Sequence, residues 1–174
     1  MIIGIAPLGK EHERASFSCG VAALDDWFKT RASQDEKRNI ARVFVAVDDV
    51  LGVVGFYTLS TYSLAADELP ASLAKKLPRY DKIPAVLIGR LARDIRCHGQ
   101  RVGHLLLGDA VERIVAANKS LAAHAIVVDA KDDKALQFYA NFGFIAFPLH
   151  PRRLFLPMTT AEQTVVAAIK QSAP

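Results

Sequence analysis

The chain has 174 residues, 51% of them apolar, and a formal net charge of +4. That length suits one domain, residues 1–174, with a sizeable core. No apolar run approaches the roughly 18 residues that cross a membrane, and the N-terminal MIIGIAPLGKEHE lacks the basic and apolar regions of a signal peptide.

The pattern predicts a short strand at IIGIA. SCGVAALDDWFKT reads as a helix with its start signals at Ser18 to Gly20 and with Val21, Leu24 and Phe28 on one face. The basic stretch 29–39 continues as a second short helix. ARVFVAVDD and VLGVVGFYTLSTYSLAA form a hairpin through Asp48-Asp49. LPASLAKKLPRY is a short helix between prolines, and IPAVLIGRLARDI is a strand. Val102, Leu106, Ala110 and Ile114 make a helical stripe. HAIVVDA is a strand buried on both faces. DDKALQFYANFG is a helix closed by Gly143, which is a good C-cap. FIAF and RRLFLPM are strands, and TTAEQTVVAAIK is a terminal helix. A strand-helix-strand unit over 84–130 implies a right-handed crossover between parallel neighbours. The fold class is therefore α/β, with a mixed sheet and helices on both faces.

Charge is unevenly placed. Residues 29–42 carry Lys29, Arg31, Lys37, Arg38 and Arg42 against Asp35 and Glu36. Residues 75–101 carry Lys75, Lys76, Arg79, Lys82, Arg90, Arg93, Arg96 and Arg101 against Asp81 and Asp94. These segments hold +3 and +6, which leaves −5 elsewhere. Such clustering is the electrostatic footprint expected for a polyanion, although a solvated face with no partner has the same signature. Cys19 and Cys97 make no metal or disulfide framework, so a reduced cytoplasmic setting is expected. His12, His124 and His150 have no metal spacing, and Trp27 and Phe28 read as core.

The turn between Arg93 and the following helix contains His98, Gly99, Gln100, Arg101, Val102, Gly103 and His104, with no acid. Free amides at a helix start, and the positive end of its dipole, make such a turn an anion site when glycines allow close approach. A phosphate or pyrophosphate fits, and so does a plain strand-helix connection. There is no G-x-x-x-x-G-K-[ST] and no G-x-G-x-x-G.

His98-Gly99-Gln100-Arg101-Val102-Gly103 resembles the acetyl-CoA loop [QR]-x-x-G-x-[GA] of the GNAT acetyltransferases. His98 and Arg101 depart from that pattern, and Arg101 stands where the first motif glycine is usual. DDKALQFYANFGF resembles the same family's N-x-x-A-x-x-x-Y-x-x-x-G-F, with Asp132, Ala135, Tyr139 and Gly143-Phe144 in register. From about Phe17 to Met158 the chain is similar to the GNAT toxins of TacT and AtaT type. The resemblance implies acetyl-CoA as co-substrate and no metal. It implies that Tyr139 is the general acid for the departing thiolate. It also implies donor contacts from loop residues 98–104, from Leu91, Ala92 and Arg93, and from Asp132, Ala135 and Phe138. The implied acceptor is the α-amino group of an amino acid on charged tRNA, whose acetylation stops translation. A ribbon-helix-helix antitoxin, operator DNA bound through it, and a homodimer complete the expected partners, with no membrane. Lys29, Arg31, Lys37, Arg38, Lys75, Lys76, Arg79 and Arg90 are the expected tRNA contacts.

The available chemistry agrees. The strand AVLIGRLARDI offers no carboxylate base before Asp94. An α-amino group titrates near 8, against about 10.4 for lysine, and so needs little help in losing its proton. A GNAT enzyme acting on a small amine or a protein N-terminus would share the donor residues and lack the basic acceptor face. A pure binding module, such as an inactive acyl-CoA sensor or a DNA-binding regulator, has against it the retained Tyr139 and the lack of a helix-turn-helix pattern.

Overall fold

The computed structural model describes residues 2–77 and 81–172. Among the described residues seven strands form one sheet, in the order β1-β2-β3-β4-β5-β7-β6. The strands are β1 (Ile2–Pro7), β2 (Arg42–Asp48), β3 (Gly52–Leu64), β4 (Ile83–Arg93), β5 (Ala125–Asp129), β6 (Ile145–Phe147) and β7 (His150–Pro157). The helices are α1 (Ala22–Thr30), α2 (Ala32–Lys37), α3 (Ala71–Ala74), α4 (Val102–Ala117), α5 (Asp133–Phe142) and α6 (Met158–Ser172). Two compact units emerge, one from Met1–Ser60 with Ile88–Ala110 and one from Thr61–Leu87 with Val111–Pro174.

In the first unit β1, β2 and β3 pair antiparallel. The expected hairpin forms: Asp48 Oδ1 accepts from the amides of Val50 and Leu51 at 2.8 and 2.9 Å, and Gly52 supplies a φ of +73°. The core gathers Phe17, Trp27, Phe28, Val43, Val45, Val53, Phe56 and Ala92. Phe28 and Phe56 stack with centroids 4.1 Å apart, and each buried side chain of this size contributes about 1.5–3 kcal/mol. The apolar spacing Leu24–Phe28 thus finds its sheet face. The helix-start expectation needs correction. Val21 is the N-cap of α1 and makes no side-chain cap. Ser18 Oγ instead donates to Asp25 Oδ2 at 3.0 Å, while the Cys19 amide donates to Oδ1 at 2.8 Å. A first-turn carboxylate thus satisfies the entering chain, and it is well placed at the helix dipole.

In the second unit β5 pairs antiparallel with β7, and β6 with β7. Leu64, Leu69, Ile83, Ala85, Val127, Phe147 and Phe155 form its core. Ala125 to Val128 are all buried, as a strand covered on both faces requires. The helix expected over 69–80 is shorter: α3 ends at Ala74, and residues 78–80 lie outside the described residues. Gly143 closes α5 at φ +115°, with Phe144 N donating to Tyr139 O at 3.1 Å.

Candidate donor and acceptor sites

The donor loop belongs to the first unit. Asp94 follows β4 and is fully buried. It accepts from the Arg96 amide at 2.9 Å, from Arg96 Nε and Nη2 at 2.8 Å each, and from the Ser18 amide at 3.2 Å. Burial opposes its ionisation, but these donors outweigh burial and hold its carboxyl below the usual range. Asp94 is therefore a structural anion that anchors the loop, and the strand still offers no free base.

Residues 95–97 make a 3-10 turn. Cys97 is fully buried there, and burial together with the Asp94 charge pushes its thiol up, so it is inert packing. Gly99 then takes φ +80°, and Arg101 takes φ +58°. The position where the motif has glycine is thus a left-handed position in fact, and here an arginine occupies it. Leu105 N donates to Arg101 O at 3.1 Å, which opens α4. The amides of the first helical turn precede that bond. His98, Gln100, Arg101 and His104 are exposed around them, while Val102 is buried and Gly103 half-buried. Arg93 Nη2 donates to His98 Nδ1 at 2.8 Å, so these two expected donor contacts hold each other. Two left-handed residues leading into helix amides, with no acid from 98 to 104, fit an anion of pyrophosphate type.

Two features that sequence reasoning missed fix where α4 starts. A Cβ on Gly55 would lie 2.8 Å from Leu106 Cδ1, 3.1 Å from Val102 Cγ1 and 3.2 Å from the Ala92 carbonyl. Only glycine lets the helix approach β3 so closely. Tyr57 Oη donates to Asp109 Oδ2 at 2.6 Å, a second tie between β3 and α4. Neither pairing has a local signal, since the partners lie about fifty residues apart.

Tyr139 belongs to the second unit, on α5. Asp132 caps that helix, accepting from the Ala135 amide at 2.8 Å. Oδ1 thus serves the helix start, and Asp132 itself is exposed. Ala135 and Phe138 are half-buried beside it. The Tyr139 ring is buried, with Phe138 and Phe144 edge-on at 5.3 and 5.6 Å. Among the described residues its hydroxyl has no hydrogen-bond partner, and it is not sealed from solvent. Burial, aided by the Asp129 charge, pushes its pKa up to about 12. The hydroxyl therefore keeps its proton across neutral pH. Asp129 itself receives Arg153 Nε at 2.8 Å, and Arg153 also donates to Tyr62 Oη. Asp129 and Arg153, with His150 and Arg152, border a cavity of about 540 Å³. The expected basic face did not include Arg152 and Arg153.

The basic residues divide. Lys29 and Lys37 are exposed on α1 and α2 in the first unit, and Arg31 and Arg38 are exposed at the C-caps of those helices. Arg31 faces Asp26 at 3.6 Å, both exposed, a weak pair that solvent screens. Lys75 and Lys76 are exposed after α3 in the second unit, and Arg79 lies outside the described residues. Arg90 is half-buried, its guanidinium stacked on Trp27. Among the described residues no cluster of His, Cys, Asp or Glu is placed to hold a metal, and no helix is long and apolar enough to cross a membrane.

No protein-family model matches the chain. It is 37% identical over 150 residues to a tRNA-acetylating toxin of Mycobacterium tuberculosis, covering 86% of this chain and 89% of that one. It is 32% identical over 165 residues to a probable toxin TacT of Sinorhizobium fredii, covering 90% and 91%. Among solved structures it is similar to AtaT complexed with acetyl-methionyl-tRNAfMet, with a TM-score of 0.85, 29% identity, and 93% and 98% of the two chains covered. Similar structures also include AtaTR bound with acetyl-CoA, at a TM-score of 0.80, 28% identity and 93% and 97% coverage. The AtaT–AtaR complex bound to DNA matches at 0.75, with 26% identity and 94% and 99% coverage. With both motifs in place, and relatives above 30% identity along nearly their whole length, the chain belongs to the TacT-type family of GNAT-fold toxins.

Proposed function

We propose that the protein is a single GNAT domain that moves acetyl from acetyl-CoA to the α-amino group of the amino acid on charged tRNA, and so blocks translation in the cytoplasm. The observation that carries this reading is the full-length likeness to a toxin complexed with acetylated aminoacyl-tRNA. The residues fit it. The amides that follow the left-handed Gly99 and Arg101, with Gln100, Arg101, Val102, Gly103 and His104 around them, hold the donor's phosphates. Backbone groups of Leu91 to Arg93 pair with the pantetheine arm and polarise the thioester carbonyl, and Ala135 and Phe138 pack against the donor.

The amine attacks the thioester carbonyl, the C–S bond breaks, and the amine's proton leaves to water. Tyr139 gives its proton to the departing sulfur. A tyrosine with a pKa of about 12 is a weak acid for an ordinary thiolate near 8.5. The poorly solvated surroundings that raise the tyrosine also raise the thiolate, which narrows the gap. Most of the catalysis is positioning. The exposed Lys29, Arg31, Lys37, Arg38, Lys75 and Lys76, with Arg79 and Arg90, bind tRNA phosphates. The antitoxin, DNA through the antitoxin, and a second copy of the chain are the proposed partners, in line with the similar complexes.

The test is incubation with labelled acetyl-CoA and bulk charged tRNA, followed by sequencing of the labelled species. Label on the aminoacyl end of a defined tRNA is expected. Free amino acids or polyamines labelled at the same rate would replace this reading with a small-amine acetyltransferase.

A further inference from the structure

Arg90 lies on β4, its amide donating to Thr58 Oγ1 at 3.0 Å. Its guanidinium carbon is 3.9 Å from the centre of the Trp27 ring. Trp27 is itself only 3% exposed. Its Nε1 donates to Asp35 Oδ2 at 2.9 Å, and its ring is 5.9 Å from that of Phe56. The indole is thus pinned at one edge by α2 and braced by the core of β3. Trp27 is core, as its sequence pattern suggests, and it is also a platform for a cation. The charged groups acting on Arg90 are Asp35, which favours its charge, and Arg31, which opposes it. The hydrogen bond that Asp35 makes goes to the indole. Among the described residues the guanidinium donates to no acceptor.

This combination is unusual for a structural arginine, which ordinarily ends on a carboxylate or carbonyl. A guanidinium stacked on an aromatic face has lost hydration on the face that meets the ring and keeps its in-plane donors. Its fork is fixed before any ligand arrives, so a bidentate oxyanion binds without ordering a long side chain. We propose that Arg90, held flat by Trp27, is a preorganised phosphate site for the acceptor nucleic acid, with Trp27 as its positioning residue. The inference rests on the tRNA reading and deepens it. Lys29, Lys37 and Arg38 supply diffuse attraction from exposed, untethered side chains, whereas Arg90 fixes one phosphate in register.

The experiment measures binding of the full chain to bulk charged tRNA across a salt series, with acetyl-CoA affinity as the control for folding. Arg90→Gln should weaken tRNA binding about tenfold at low salt and reduce the slope of log K against log[salt] by about one. Arg90→Lys keeps the charge and hence the slope, but should recover little affinity because it has no fork. Trp27→Phe keeps an aromatic face and loses the Asp35 bond, and should give a smaller loss of the same kind. Arg90→Gln with wild-type affinity and slope overturns the site. Full recovery in Arg90→Lys overturns the role of Trp27. If the Lys37→Ala, Arg38→Ala double variant flattens the slope and Arg90→Gln does not, only this inference falls. If the wild type has no slope, the tRNA reading falls with it.

Discussion

Arg101 gives the sharpest test of the donor loop, because one substitution should move stability and affinity in opposite directions. Its φ of +58° is left-handed, a conformation that costs an L residue about 1–2 kcal/mol. Arg101→Gly removes that strain. Glycine also loosens the unfolded chain, which takes back about 0.4–1 kcal/mol. The net gain is about 0.5–1 kcal/mol. In a protein of this size each kcal/mol moves the melting temperature by about 2–4 °C, so a rise of about 1–4 °C is expected. Donor affinity should fall. The exposed guanidinium has no protein partner among the described residues, and losing one charge-assisted contact worth about 1 kcal/mol weakens acetyl-CoA about fivefold. Thermal unfolding without ligand and titration calorimetry with acetyl-CoA read the two effects separately. Arg101→Ala is the control, since it loses the charge and keeps the strain: its affinity should drop equally without the thermal gain. An Arg101→Gly protein that melts no higher than Arg101→Ala would refute the strain argument. Undiminished acetyl-CoA affinity in both would show that the side chain plays no part in anion binding.

Tyr139→Phe should cut turnover by about 10²–10⁴-fold with acetyl-CoA affinity kept; full activity would reduce Tyr139 to packing. Because its pKa is raised to about 12, the proton stays on through neutral and mildly alkaline pH. The rate of the wild type should rise through the amine's titration near 8 and then hold level, and a decline centred near 10 would contradict the burial argument. The same shift disfavours tyrosinate in the folded state, so Tyr139's contribution to stability is lost only as pH rises from about 10 to about 12. Gly55→Ala places a carbon 2.8 Å from Leu106 Cδ1 and 3.2 Å from the Ala92 carbonyl. It should destabilise by about 1–3 kcal/mol and weaken acetyl-CoA binding by shifting the start of α4, with partial rescue by Leu106→Ala. Lys37→Ala with Arg38→Ala should flatten the salt dependence of tRNA binding, leave acetyl-CoA affinity unchanged, and soften growth arrest in cells. A double variant with the wild-type slope would return α2 to a merely solvated face.

The sequence alone determined the order of elements, because each is a local pattern. Alternation and continuous apolar runs marked β2, β3 and β5, while the 3.6-residue stripe of Val102, Leu106, Ala110 and Ile114 marked α4. Gly143 announced the end of α5, since few other residues tolerate φ +115°. The acid-free turn at 98–104 was legible as an anion loop for the same reason: charge and glycine placement are readable residue by residue. What needed the tertiary structure were the pairings over long separations. Arg90 meets Trp27 and Gly55 meets Leu106 only when β4 and α4 have packed. Asp94 becomes buried and committed to Arg96 and Ser18 only when the chain near residue 18 returns to the end of β4. Arg153 finds Asp129 across the β5–β7 register and Tyr62 from 91 residues away. Periodicity fixes which face a residue occupies and says nothing about its partner there. The conformation of Arg101 was hidden for a related reason. Its side chain argues against a left-handed φ, and only the geometry of the loop imposes one.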